Sequence, residues 1–258
     1  MTPLDLAFET IGDGPPLVVL HGLFGSGRNW RGVARHLAAT HRVWTVDLRN
    51  HGDSPWADSM DYPAMAEDLR GFMARHGLFG ATVLGHSMGG KVAMALALTH
   101  AELVGRLIVV DIAPVDYPPA MRAYAQAMRA IDPAAAGART AVDSALASSV
   151  PDAGVRGFLL QNLILRDGVL AWRCNLAALD EGMEEIAGFP APLLHRHYAG
   201  PVRFIAGARS DYIRPEHRAT VLTLFPHATH AAVPAAGHWV HAENPEGFLR
   251  AVRRALER

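Results

Sequence analysis

The sequence predicts an α/β fold in which a mostly parallel sheet is covered by helices on both faces and carries one helical insertion. Three observations lead there. Short apolar runs alternate with amphipathic segments along most of the 258 residues, the pattern of strands joined by crossover helices. The runs are continuously apolar, as strands buried on both faces require. The alternation then breaks between about Pro114 and Pro192, where helical segments follow one another.

Taken in order, TPLDLAFE alternates, with Leu4, Leu6 and Phe8 on one face, and suits a half-buried antiparallel edge strand. PLVVLHG, RVWTVDL, ATVLG, RLIVVD and VRFIAG are the buried strands, and HAAVPAA is a further one near the C-terminus. DYPAMAEDLRGFMARHG reads as a helix with Asp61 as N-cap, Pro63 in the first turn and Met65, Leu69, Phe72 and Met73 on one face. NPEGFLRAVRRALER repeats that grammar with Asn244 and Pro245. In the break, PPAMRAYAQAMRAID, ARTAVDSALASS, DAGVRGFLLQNLIL and RCNLAALDEGMEEI read as helices with no strand among them. An insertion between parallel strands lies beyond the carboxyl edge of the sheet, where such sheets place ligands. The expected division is therefore a core of residues 1–113 and 193–258 with a lid of residues 114–192.

Composition narrows the function. A net charge of -1 gives no electrostatic reason to expect nucleic acid or an anionic membrane as partner. Cys174 is the only cysteine, so no intrachain disulfide forms. MTPLDLAFET lacks the basic and long apolar regions of a secretory signal, and no run of apolar residues spans a bilayer. The expectation is a cytoplasmic protein with a small-molecule substrate; the oligomeric state is left open.

The chemistry is concentrated in three blocks. GHSMGG, residues 85–90, stands between a strand and the apolar helix KVAMALALTH. That context makes it a nucleophile elbow, with Ser87 on the sharp turn and Gly85 and Gly89 leaving room for it. HGLFGSGRNW, directly after PLVVL, lets Gly22 turn the chain so that the Leu23 N–H faces the reaction centre. The second oxyanion donor is then the N–H of Met88. AAGHWVHAENPE puts His238 in a loop after the last strand, late in the chain, as the order nucleophile, acid, histidine requires. Histidine suits the general base because an ordinary imidazole takes and returns a proton near neutrality. His86 reads as a local packing residue and His241 as structural, though it is the second choice for the base. For the acid, two residues are candidates. Asp211 follows VRFIAG but stands four residues past Gly207, where three is usual and Ser210 sits; Asp111 ends RLIVVD at the carboxyl edge of the sheet.

Metal and nucleotide chemistry are not expected. His195 with His197, His227 with His230 and His238 with His241 are spaced like ligand pairs, but each pair falls in a different segment and no HExxH occurs. GLFGSG lacks both the GxGxxG spacing and a phosphate-binding lysine. No metal and no cofactor is therefore assigned. The insertion carries Phe158, Leu159, Leu160, Leu163, Ile164 and Trp172, which either line an acyl pocket or pack on one another. Arg122, Arg129, Arg156 and Arg166 either meet the phosphates of an acyl-CoA or form solvated faces.

Together HGLFGSGRNW, VDLRNHGDSP, DYPAMAEDL, GHSMGGKVAMALAL, VVDIAPVDY and AAGHWVHAENP resemble the α/β-hydrolase superfamily, and within it the small esterases related to α/β-hydrolase domain-containing protein 11 and their bacterial acyl-ester counterparts. The resemblance implies an α/β-hydrolase fold with the helical lid inserted after the sixth strand. It implies a cofactor-free serine hydrolase cleaving small acyl esters or thioesters through an acyl-enzyme. In that family the DIAP block is retained and the later loop commonly carries serine, which implies Asp111 as triad acid, Ser210 as its auxiliary partner and Asp211 as the alternative. Two other functions fit the same blocks: hydrolysis of a carbon–carbon bond by the same triad, and a ligand receptor built on a hydrolase fold.

Overall fold

A computed structural model describes residues 2–257; the expected core limits Met1 and Arg258 lie outside them. Nine strands are present among these residues: β1 (Phe8–Ile11), β2 (Pro16–Leu20), β3 (Arg42–Val46), β4 (Ala81–His86), β5 (Val104–Val110), β6 (Leu163–Arg166), β7 (Val169–Trp172), β8 (Val202–Gly207) and β9 (Ala228–Val233). Seven form one sheet in the order β1-β3-β2-β4-β5-β8-β9. β1 is antiparallel to β3 and every other pairing in that sheet is parallel.

The continuous apolar runs bury both faces, as expected. Leu17, Val19, Val43, Leu84, Ile108 and Ile205 point to one side, against α1 (Arg31–Leu37) and the C-terminal helix Pro245–Glu257. Val18, Leu20, Val46, Val83, Leu107 and Val109 point to the other, against α2 (Tyr62–Arg75) and α3 (Met88–Thr99). Asp61 caps α2 by accepting from the Ala64 N–H at 2.8 Å, and Asn244 Oδ1 accepts from Gly247 N–H at the start of the last helix. The edge strand is shifted from its expected place. Ladder pairing covers only Phe8–Ile11, while Leu6 is buried ahead of it without strand pairing.

Two expectations about the insertion are corrected. It follows the fifth strand, not the sixth, because the segment before β2 supplies one strand only. It is also not all helical: after the helices Arg122–Arg129, Pro133–Ala136, Arg139–Leu146 and Ala153–Leu159 the chain forms the antiparallel hairpin β6–β7. Asp167 and Gly168 make its two-residue turn at φ 52° and 81°, the Asp-Gly geometry that matches strand twist. That turn lies inside a stretch whose apolar residues also fit a helix, so the local period misled. The insertion ends in two short helices, Leu176–Glu181 and Met183–Ala187.

The exit of the insertion is tied to the core. Lys91 on α3 donates to the carbonyls of Ala187 and Gly188 at 2.7 and 2.6 Å, Tyr62 Oη donates to Ile186 O, and Asp116 accepts from Phe189 N–H. No helix among the described residues is long and apolar enough to cross a membrane.

Candidate active site

β4 stops at His86 and α3 starts at Met88, so Ser87 alone makes the strand-to-helix turn. Its backbone is at φ 53° and ψ -121°, a conformation that costs an L-residue on the order of 1–3 kcal/mol and persists only where its surroundings hold it. Here the Ser87 N–H donates to Val110 O. The glycines around it are demanded by space: a Cβ on Gly85 would stand 2.1 Å from Gly89 O, and one on Gly89 would stand 2.4 Å from His21 O.

His238 and Asp111 reach this turn from neighbouring strands. His238 follows β9, and Asp111 is the first residue after β5. Ser87 Oγ lies 3.0 Å from His238 Nε2, and His238 Nδ1 lies 2.8 Å from Asp111 Oδ2. The arrangement suits an imidazole that donates from Nδ1 to the carboxylate and accepts the serine hydroxyl proton at Nε2. Asp111 is fully buried and is further satisfied by Gly207 N–H at 2.9 Å and by the Ser210 hydroxyl. Asp211 is exposed and makes no bond to His238. The structure thus brings together Ser87, His238, Asp111 and Ser210 and leaves Asp211 out.

The flanking histidines have other duties. His86 Nε2 lies 2.8 Å from the backbone carbonyl of His238 and so anchors the loop that carries it; burial holds the His86 pKa well below the ordinary value. His241 stacks on Trp30 with ring centroids 4.3 Å apart, and burial pushes its pKa down to about 4. It makes no bond to Ser87. Tyr212, which sequence reasoning did not single out, stacks on the His238 ring at 4.0 Å and 24°.

Gly22 packs directly on the turn at Ser87, since a Cβ there would meet His86 Nδ1 at 2.9 Å and Ser87 Cβ at 3.2 Å. Gly25 N–H closes a turn onto Gly22 O at 2.9 Å, leaving Leu23 and Phe24 at its corners. Leu23 and Met88 both line the cavity above Ser87, and their N–H groups are paired with no protein acceptor among the described residues. Two buried histidines scaffold this loop. His21 Nδ1 lies 2.8 Å from Gly22 O, while its Nε2 accepts from Leu48 N–H at 2.9 Å. His51 Nε2 accepts from Phe24 N–H at 3.2 Å. Burial lowers their pKa values to about 4 and about 3, so both are neutral acceptors near pH 7. RNHGDSP, which carries His51, was legible as a sequence block but not as a support for the Gly22–Gly25 turn.

The cavity has a volume of about 970 Å³ and runs between the sheet edge and the insertion. Its walls include Tyr62, Ile112, Met121, Tyr124, Ile186 and Trp239. Of the apolar residues singled out in the insertion, Phe158 and Leu159 reach it, whereas Leu160, Leu163, Ile164 and Trp172 do not. Three of the four arginines are engaged within the insertion itself: Arg122 with Glu184, Arg129 with Asp180 and Arg156 with Asp143. Among the described residues no three His, Cys, Asp or Glu side chains converge as a metal site.

Residues 15–149 match the family model described as the alpha/beta hydrolase fold. The chain is 42% identical to the sn-1-specific diacylglycerol lipase ABHD11 of Mus musculus, over 99% of this chain and 86% of that one. It is 38% identical to esterase YbfF of Escherichia coli strain K12, over 93% and 92% of the two chains. The solved structure of a marine microorganism esterase superposes with a TM-score of 0.92 at 35% identity, covering 97% of this chain and 99% of that one. The chain belongs to the α/β-hydrolase family, in the company of proteins named as esterases and lipases. It is a hydrolase of that class.

Proposed function

We propose that this protein is a serine esterase that cleaves small carboxylic esters through an acyl-enzyme on Ser87. The observation that carries this reading is the unbroken hydrogen-bond chain from Asp111 through His238 to Ser87 at the floor of a largely apolar cavity. On this reading Ser87 Oγ attacks the ester carbonyl carbon while His238 Nε2 takes its proton. The carbonyl oxygen becomes an oxyanion held by the N–H groups of Leu23 and Met88. Asp111 keeps the imidazole in the needed tautomer and stabilises its cation. The tetrahedral adduct collapses, the C–O bond to the alcohol breaks, and His238 returns the proton to the departing alkoxide. Water, deprotonated by the same imidazole, then releases the carboxylic acid and restores Ser87.

Residues 114–192 act as the lid over a core of residues 1–113 and 193–258, with Phe158 and Leu159 in its cavity wall. The names of the similar proteins, a diacylglycerol lipase and esterases, support an acyl ester as substrate. A thioester carbonyl meets the same groups, but the pairing of Arg122, Arg129 and Arg156 within the insertion takes away the phosphate contacts that would favour acyl-CoA.

The test is turnover of nitrophenyl esters of increasing acyl length, with acyl-CoA thioesters alongside. Ser87→Ala is expected to lower kcat by about a millionfold with the fold intact, the scale seen when a triad serine is removed. Wild-type protein caught with short-chain substrate should carry the acyl group on Ser87 by mass spectrometry. A Ser87→Ala protein that keeps a tenth of normal turnover would end this reading.

A further inference from the structure

Phe24 occupies the second corner of the Gly22–Gly25 turn at φ 60°, a left-handed conformation for a bulky residue that is almost completely buried. Such a residue stays there only when its surroundings hold it. Both of its backbone polar groups are held by side chains from distant parts of the chain. The N–H donates to His51 Nε2, and the carbonyl accepts from Asn162 Nδ2 at 2.8 Å. Asn162 belongs to the insertion, 138 residues away. It is buried, its second contact is to Leu159 O at 3.2 Å, and its own carbonyl accepts from Arg173 N–H across the foot of the hairpin.

We infer that Asn162 is a positioning residue for the oxyanion hole, so that the insertion, besides covering the cavity, holds in place the turn that aims the Leu23 N–H at the reacting carbonyl. The inference rests on the reading of Ser87 as nucleophile and Leu23 as oxyanion donor. Leu23 and Phe24 are the two corners of a single turn; His51 holds the Leu23–Phe24 peptide through its N–H, and Asn162 holds the following Phe24–Gly25 peptide through its C=O. Without Asn162 a buried carbonyl loses its donor, and the left-handed corner is left with the His51 bond and the Gly25–Gly22 turn bond alone. The turn then relaxes and the Leu23 N–H moves off the oxyanion position. The hydrogen bond touches neither the nucleophile nor the general base, and Asn162 does not line the cavity. Its loss should therefore affect the transition state far more than substrate binding.

The experiment compares wild type, Asn162→Ala and Asn162→Asp in steady-state hydrolysis of a short-chain nitrophenyl ester, and in inhibition by an aryl trifluoromethyl ketone. That ketone forms a hemiketal with the serine, so its oxygen sits where the oxyanion does. Outright loss of one oxyanion donor costs about 100- to 1000-fold in kcat, so misplacing one should cost about 10- to 100-fold. KM should stay within about twofold, and affinity for the ketone should fall by the same factor as kcat. Asn162→Asp keeps the side-chain size while replacing the donor with a second acceptor facing Phe24 O, and should be at least as impaired; it carries the test if the alanine protein does not fold. An unchanged kcat, or a raised KM with kcat and ketone affinity intact, overturns the inference. Ser87→Ala, run in parallel, separates the two claims: loss of activity there with a normal Asn162→Ala protein removes only the role of Asn162, whereas an active Ser87→Ala protein removes both.

Discussion

Asp111 accepts from His238, Gly207 N–H and the Ser210 hydroxyl in a site closed to water, while Asp211 faces solvent. A buried carboxylate so supplied with donors is fixed in orientation, which is what an imidazole-orienting group needs. Its backbone at φ 53° turns the chain at the end of β5. Asp111→Asn is therefore expected to lower kcat by about 10⁴, the size known for a triad acid changed to its amide, while Asp211→Asn stays within about twofold of wild type, as a solvent-facing residue outside the site should. Steady-state rates of the two proteins decide it, and the reverse pattern would reject Asp111. Ser210, three residues past Gly207, donates its hydroxyl to the Asp111 carboxylate. The direct signals in the sequence at this scale were the GHSMGG turn and the late His238. Asp111 had no local pattern of its own, because an aspartate closing a strand looks the same whether it caps a loop or holds a histidine.

The loop after β3 shows how neighbouring elements carry the site. Arg49 and Asp68 form a pair with N–O 2.7 Å in which both side chains are almost fully buried, and Arg49 also reaches Ser59 and Ala64 O. Asp68 further accepts from Leu4 N–H. This pair fixes the loop to α2, and the same loop presents His51 to the Gly22–Gly25 turn. Breaking a buried pair strands one charge without a partner, so Asp68→Ala should destabilise the protein by about 3–5 kcal/mol. The double change Arg49→Met with Asp68→Leu should cost less than Asp68→Ala alone, since it removes both charges from the interior. Urea unfolding of the three proteins measures this, and equal stability of Asp68→Ala and wild type would refute it. At this scale the buried strands and the capped helices were legible because their residues interact with near neighbours in sequence. The β6–β7 hairpin was not, since apolar residues such as Leu163 and Leu170 satisfy either period over so short a span.

Across the whole molecule, the buried His21, His51 and His86 and the partly buried His241 are held neutral by desolvation, with values of about 4, 3 and 4 for His21, His51 and His241. The sign follows from linkage. An unfolded imidazole gains its proton near pH 6.5, whereas these in the folded protein resist protonation until much lower pH. The unfolded chain thus binds more protons through that window, and stability falls as pH drops from about 6.5 toward about 4. His21 and His51 accept backbone N–H bonds at Nε2, so protonation there also breaks the scaffold of the Gly22–Gly25 turn. Thermal unfolding followed by circular dichroism should show Tm declining steadily over that range. A flat Tm between pH 7 and 4.5 would contradict it.

What the sequence by itself determined is the local grammar: parallel strands from continuous apolar runs, helices from caps and periodicity, and a sharp strand-to-helix turn at Ser87 from glycines placed where a side chain would collide with backbone. These follow from forces acting over a few residues, so they are written in a few residues. What only the tertiary structure decided are the pairings across the chain: Asp111 with His238 over 127 positions, Phe24 with Asn162 over 138, and the insertion's arginines with its own acids. A carboxylate, an amide or a guanidinium takes its role from the partner that folding brings to it. That partner is chosen by the packing of the sheet and the insertion, which no short stretch of sequence encodes.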